Sequence, residues 1–206
     1  MTRRPAIRAV VFDGGHTLLE LDYARLTAYL VSRSHDLTVA AVTDAERRAR
    51  IRLDTERAAQ SARERTGEGR YVRYLVEHHG EAAKALQRAR DMGLVVGVIS
   101  NSNGSVQRAL DEAGLGAYLE FVIDSSVVGA TKPDSRIFEL GLCAARTTPE
   151  ETVYVGDSYF IDVVGARRAG LGAVLFDPGR AWGERDCAVA TGLCEAVEQA
   201  GLRGDE

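Results

Sequence analysis

Short apolar runs, each cut off by a polar or glycine-rich turn, set the rhythm of this chain. Residues 7–12 are rich in β-branched side chains and stop at Asp13-Gly14-Gly15, which predicts a buried parallel strand. The same pattern returns at 94–99, before SNSNG, and more weakly at 121–123. It returns again at 152–155, before Gly156-Asp157, and at 173–176, before Asp177-Pro178. Between the runs, helical periodicity covers 81–92, 105–113, 133–145 and 160–169. Gly93, Gly114 and Gly170 stand just past three of these stretches, where a helix stop is expected. Strands alternating with helices of about ten residues predict an α/β fold with a parallel sheet.

Residues 22–79 break the rhythm. They carry helical periodicity, many arginines and almost no strand signal. Arg47, Arg48, Arg50, Arg52 and Arg57 are interleaved with Glu46, Asp54 and Glu56. Such a pattern reads as a salt-bridged, solvated helix face, and one or two of the arginines facing an anionic substrate is the other reading. A helical insert after the first strand suggests a lid over a site at the strand ends, with Asp22 opening it. The division expected is a core of residues 1–20 and 80–206 with a helical cap at 21–79. His78-His79, beside a glycine, read as a helix end. HHGEAAKAL then passes abruptly from cap to core. Either the cap is reduced or a segment near Gly80 is missing, and normal Cα–Cα steps of about 3.8 Å from His78 to Ala82 would exclude the second.

Composition narrows this picture only a little. The 206 residues are 45% hydrophobic and 27% charged, as in a folded globular chain. A net charge of -4 argues against a general nucleic-acid binder. No apolar stretch approaches the roughly 20 residues that cross a membrane. The basic start MTRRPAIRAVVF is interrupted by Asp13 too early for a leader peptide. Cys143, Cys187 and Cys194 form no CxxC pair, so thiols in a reducing, cytoplasmic setting are expected.

Candidate chemistry gathers at the predicted strand ends, where an open parallel sheet binds its ligands. Asp13, Gly15, His16 and Thr17 follow the first strand, and Ser100 and Asn101 the second. Lys132 follows the third, and Asp157 and Asp162 the fourth. Carboxylate oxygens suit Mg²⁺, which keeps waters and a substrate phosphate as its other ligands. Asp13 with Asp157 or Asp162 would hold it, and the carbonyl of Gly15 could add an oxygen. A carboxylate facing such a phosphate can attack phosphorus and form an aspartyl-phosphate. Ser100 or Thr17 would hydrogen-bond phosphate oxygens, with Asn101 beside them. Lys132, fixed by Pro133 in a helix's first turn, would offset charge. Each residue alone has a plainer reading: Asp157 as a helix N-cap, Ser100 and Asn101 as turn formers, Lys132 as a surface lysine. Asp124 and Asp134 read as a loop acid and a helix-start acid.

The stretches VVFDGGHTLL, VVGVISNSNG, GATKPDSRIFELGL and VYVGDSYFIDVVGARRAG, in this order, resemble the haloacid dehalogenase (HAD) superfamily of hydrolases, mostly phosphatases. The resemblance implies a Rossmann-like core with a helical cap. It makes Asp13 the nucleophile, Ser100 a ligand of the transferring group and Lys132 the charge stabiliser. Asp157 and Asp162 would hold Mg²⁺; Asp162 either ligates through water or braces Asp157. It implies a small phosphorylated substrate, with no nucleic acid or membrane partner, in a monomer or homodimer.

One position departs from the family. The second aspartate, two residues past the nucleophile, protonates the leaving group and then activates water; here it is Gly15. Its absence predicts slow turnover or a good leaving group such as an acyl phosphate. His16 stands where the family usually has glycine. It either takes part in acid–base chemistry, or caps a turn or packs under the lid. A degenerate member that binds a phosphorylated ligand or a protein partner without turnover is the second reading. A 2-haloacid dehalogenase is the third, although those enzymes do not keep both acids of GDSYFID. Members that cleave phosphonates use a cap lysine, and residues 22–79 contain none.

Overall fold

A computed structural model describes residues 5–33, 35–60, 76–78 and 81–202, and of 55–60 and 76–78 the backbone only. The five predicted strands form, within a residue or two at each end. They are β1 (Ala9–Phe12), β4 (Val95–Ser100), β5 (Phe121–Asp124), β6 (Thr152–Gly156) and β7 (Gly172–Phe176). A sixth, β8 (Ala188–Ala190), extends the sheet, giving the order β5-β4-β1-β6-β7-β8 with every pair parallel. Only three residues with two alanines, β8 carries too weak a pattern to stand out in the sequence.

Strand alternation divides the core between two faces. Val10, Phe12, Val96, Val98, Val153, Val155, Val174 and Phe176 point to one side, under α3 (Ala82–Asp91), α4 (Val106–Glu112) and α8 (Leu193–Leu202). Val11, Ile99, Tyr154, Ala173 and Leu175 point to the other. There they meet α6 (Ser135–Ala145), a π-helical turn over Tyr159–Val164, and α7 (Gly165–Arg168). Phe138 of α6 packs edge-on to Tyr154, ring centroids 5.2 Å apart. Such a pair is worth about 1 kcal/mol beyond the area it buries. Gly97 has no side chain because Phe121 fills that space: a Cβ there would lie 2.1 Å from the ring.

Chain order reverses at β1. From it the sheet runs through β4 and β5 to one side and through β6, β7 and β8 to the other. The crevice beyond β1 and β6 is therefore the place where this architecture binds ligands.

The segment after β1 is less helical than its sequence suggests. A short strand β2 (Leu19–Leu21) pairs antiparallel with β3 (Val76–His78), which brings the two ends of the segment together. His78 lies in this ribbon and not at a helix end. Inside it, α1 (Tyr23–Val31) is N-capped by Asp22, whose carboxylate accepts from the Arg25 N–H at 2.8 Å. The 22-residue α2 (Val39–Gln60) follows. The junction at residues 79 and 80, and the Cα steps across it, lie outside the described residues.

Candidate active site

The first turn wraps around one carbonyl. The N–H groups of Leu18 and Leu19 both donate to Gly14 O, at 3.2 and 2.9 Å. Gly14 sits at a close approach: a Cβ there would lie 3.1 Å from Ser100 Oγ and 3.0 Å from Val106, which would have to give by a few tenths of an ångström. This contact brings the β1 turn against Ser100, the last residue of β4. Thr17 is fully buried, and its hydroxyl has no partner among the described residues. Gly15 is the exposed residue of the turn. His16 adopts φ 59°, the left-handed region that favours glycine.

Asp13, at the end of β1, is buried beside Lys132 and Asp162. Lys132 Nζ spends its three donors on Asp13 Oδ1 (2.5 Å), Asp162 Oδ1 (2.7 Å) and Tyr154 Oη (2.9 Å). The Tyr154 hydroxyl donates in turn to Ile99 O at 2.8 Å. Asn101 brackets the lysine's backbone: its Nδ2 donates to Lys132 O at 3.0 Å and its Oδ1 accepts from Lys132 N at 2.8 Å. The amide placed with the substrate by sequence is thus occupied in holding Lys132. Pro133 does not open the helix; α6 starts at Ser135, and Asp134 caps it by accepting from the Arg136 N–H at 3.0 Å.

The end of β6 supplies the other acids. One carboxylate oxygen each of Asp13, Asp157 and Asp162 lies within 4.8 Å of the others. Asp162 Oδ2 accepts from Ser158 N at 3.0 Å, so the two acids share one turn. Ser158, not Asp157, caps the π-helical turn. Gly156 makes room: a Cβ there would lie 2.5 Å from the Asp162 carboxyl group. The Asp157 carbonyl accepts from Trp182 Nε1 at 2.9 Å, and the Trp182 loop is gathered by Asp177, which accepts from the Ala181 and Trp182 N–H groups at 3.0 Å each.

Electrostatics follow from this crowding. Burial pushes the Asp13 carboxyl above its ordinary range; Lys132 opposes the shift and Asp162 adds to it. Lys132 is held well above its usual value: desolvation opposes its charge, but Asp13 and Asp162 outweigh it. Three carboxylates set against Lys132 and one arginine leave the cluster net negative.

That arginine comes from α2. Arg50 pairs with Asp157 Oδ2, and its Nε lies 3.3 Å from Glu46 Oε1. Glu46 also accepts from the Tyr23 hydroxyl at 2.8 Å and lies 3.5 Å from His16 Nε2. One turn further on, buried Asp54 accepts from Ser158 Oγ at 2.7 Å and from the Phe160 N–H at 3.1 Å. His16 is therefore enclosed under α2, and its pKa falls to about 4, chiefly by burial and then by Arg50, with Glu46 opposing. The interleaved charges of α2 are solvated only in part: Arg48 and Asp44 pair in the open, while Glu46, Arg50 and Asp54 face the core. Tyr154 and Trp182 were not picked out by sequence, and Arg50 and Asp54 only as members of the interleaved charges of α2. Tyr154 is the one whose position could have been suspected, as a polar tip in the middle of the apolar run TVYVG.

This constellation can hold a divalent cation, a nucleophilic carboxylate and a fixed ammonium at one strand edge. A profile of the haloacid dehalogenase-like hydrolases matches residues 7–170. The chain belongs to this family. A phosphoserine phosphatase of Thermus thermophilus is 43% identical over 100 residues, which make up 48% of this chain and 40% of that protein. The chain thus spans about two fifths of the length of such curated relatives. Among solved structures, a HAD phosphatase from Thermococcus onnurineus superposes with TM-score 0.64 at 21% identity, covering 94% of this chain and 97% of that one. A 2-haloacid dehalogenase from Pseudomonas syringae superposes with TM-score 0.61 at 23% identity, covering 93% and 97%. At these identities the superpositions establish the shared HAD fold, and both chemistries are represented on it.

Proposed function

We propose that the protein is a Mg²⁺-dependent phosphatase or phosphotransferase acting on a small phosphorylated metabolite through an aspartyl-phosphate on Asp13. The observation that carries this reading is the buried triad of Asp13, Asp157 and Asp162. Three hard oxygen donors around a net negative centre fit Mg²⁺, and the unpartnered Thr17 hydroxyl leaves a donor for a phosphoryl oxygen. Asp13, Asp157, Asp162 and the Gly15 carbonyl would hold the ion. Bound there, it would neutralise phosphate charge and orient the phosphorus toward Asp13.

In this mechanism a carboxylate oxygen of Asp13 attacks phosphorus as the bond to the leaving oxygen breaks. Lys132 holds the carboxylate in place and offsets charge on the transferring group. Water then attacks the phosphorus of the aspartyl-phosphate, orthophosphate departs, and the Asp13 carboxylate is regenerated. Ser100 and Thr17 hold phosphoryl oxygens, while Asn101 acts on them through the backbone of Lys132. Gly15 offers neither proton nor base, so substrates with good leaving groups, such as acyl phosphates, turn over best. His16, neutral near pH 7 and 3.5 Å from Glu46, is the imidazole assigned to the water step. Residues 21–79 act as the cap, in a cytoplasmic protein that works as a monomer or homodimer. Measuring phosphate release from a panel of phosphomonoesters and acyl phosphates, with Mg²⁺ and with EDTA, tests the proposal. Release that is abolished by EDTA and by Asp13→Asn supports it. Halide release from a 2-haloacid that persists in EDTA would establish the dehalogenase reading instead. Ligand binding without turnover of any substrate would establish the degenerate one.

A further inference from the structure

Glu46, Arg50 and Asp54 recur every fourth residue on α2, so they form one stripe along the helix. Each has a partner in the site: His16, Asp157, and Ser158 with Phe160, respectively. The stripe therefore docks α2 onto the carboxylate cluster itself. Its members differ in what they hold. Asp54 grips the turn behind the cluster through a hydroxyl and a backbone N–H, contacts that a cation on Asp157 leaves intact. Arg50 sits on the carboxylate that such a cation would need.

We infer that Arg50 is the exchangeable counter-ion of the cluster: it holds Asp157 in the cation-free protein, and a divalent cation binds by displacing it. The inference rests on the metal reading above. The charge distribution drives the exchange. Lys132 already serves Asp13 and Asp162, so Asp157 is the corner balanced from α2. A guanidinium and Mg²⁺ repel, and Mg²⁺ would need the Asp157 carboxylate that the guanidinium now holds. Displacement does not strand the arginine, because Glu46 lies 3.3 Å from its Nε and can retain it. The bistable element is thus one side chain, shared between Asp157 and Glu46 in one state and left to Glu46 in the other. Asp54 keeps α2 seated in both. Metal affinity is set in part by a helix that contributes no ligand.

The chain's single tryptophan gives the readout, since Trp182 Nε1 donates to the Asp157 carbonyl at 2.9 Å. Trp182 fluorescence is titrated with MgCl₂ at constant ionic strength in the wild type, Arg50→Gln, Arg50→Met and Arg47→Gln, with calorimetric titration alongside and thermal midpoints recorded. Arg47 lines the same cleft and touches none of the three acids, so its removal measures the general loss of positive charge. Arg50→Gln and Arg50→Met are expected to bind Mg²⁺ about tenfold more tightly than wild type, the scale of one charge-assisted contact. Arg47→Gln should shift affinity by less than about twofold, as a partly screened charge would. Affinity unchanged or weakened in both Arg50 variants, or an equal gain in Arg47→Gln, overturns the exchange. If neither the wild type nor any variant binds Mg²⁺, the metal reading falls and the exchange falls with it.

Discussion

Gly15→Asp should convert a slow hydrolase into a faster one. A Cβ at this position meets no heavy atom within 4 Å, and the backbone φ there is not positive, so a side chain enters without strain. Stability should barely move. Loss of glycine's freedom in the unfolded chain favours folding by about 0.4–1 kcal/mol. A new carboxylate roughly 6–7 Å along the chain from Asp13 costs about 0.6 kcal/mol in water-like surroundings, and the two nearly cancel. The rate should change much more. General acid–base help is worth about 10²–10⁴ in rate, or about 3–5.5 kcal/mol. Gly15 is exposed, so the lower end, about 10²-fold, is expected. The assay is steady-state hydrolysis, by wild type and variant, of an alkyl phosphate, whose leaving group needs a proton, and of an acyl phosphate, whose leaving group does not. The gain should be large for the first and small for the second. An equal gain on both substrates, or none in a variant whose thermal midpoint is unchanged, would refute the assignment of Gly15 as the missing acid.

Gly156→Ala places a methyl group 2.5 Å from the Asp162 carboxyl, which should cost about 1–3 kcal/mol in urea denaturation and weaken Mg²⁺ binding. Tyr154→Phe leaves the Ile99 carbonyl without its side-chain donor and Lys132 without its third acceptor; a loss of about 1–3 kcal/mol and a lower kcat are expected from denaturation and kinetics. His16 has its pKa lowered from 6.5 to about 4, so the folded protein binds this proton less well than the unfolded chain does. Its contribution to stability is therefore complete above about pH 6.5 and lost as pH falls to about 4, up to about 3 kcal/mol. His16→Asn, which keeps a residue tolerant of the left-handed backbone, should flatten the stability–pH curve over that window; an unchanged slope would contradict the partly buried, neutral imidazole.

The core strands were legible because they are buried on both faces and so read as unbroken apolar runs ending on polar residues. The same property puts Asp13, Ser100 and Asp157 at the strand ends, since each follows such a run closely. Lys132 was harder to derive, as it lies in a loop beyond β5, with its backbone bracketed by Asn101 and its Nζ meeting acids that follow two other strands. What the sequence concealed depends on packing between distant segments. Asp54 and Ser158 are 104 residues apart, and nothing local distinguishes Asp54 from the solvated acids around it. Periodicity in α2 identifies a helix, but not which of its charged faces is turned inward. The β2–β3 ribbon escaped notice because three-residue strands give no usable alternation. His16 shows the opposite case: its left-handed φ gives a physical reason why glycine usually stands there.

The most direct test of the account is the covalent state of Asp13. The protein is mixed with Mg²⁺ and acetyl phosphate, quenched rapidly in acid, digested, and the peptide bearing Asp13 is weighed by mass spectrometry. Asp13 should carry the added mass of one phosphoryl group, which hydroxylamine removes and which is absent in EDTA. An unmodified Asp13 peptide from a sample that released phosphate during the same interval would contradict the aspartyl-phosphate mechanism.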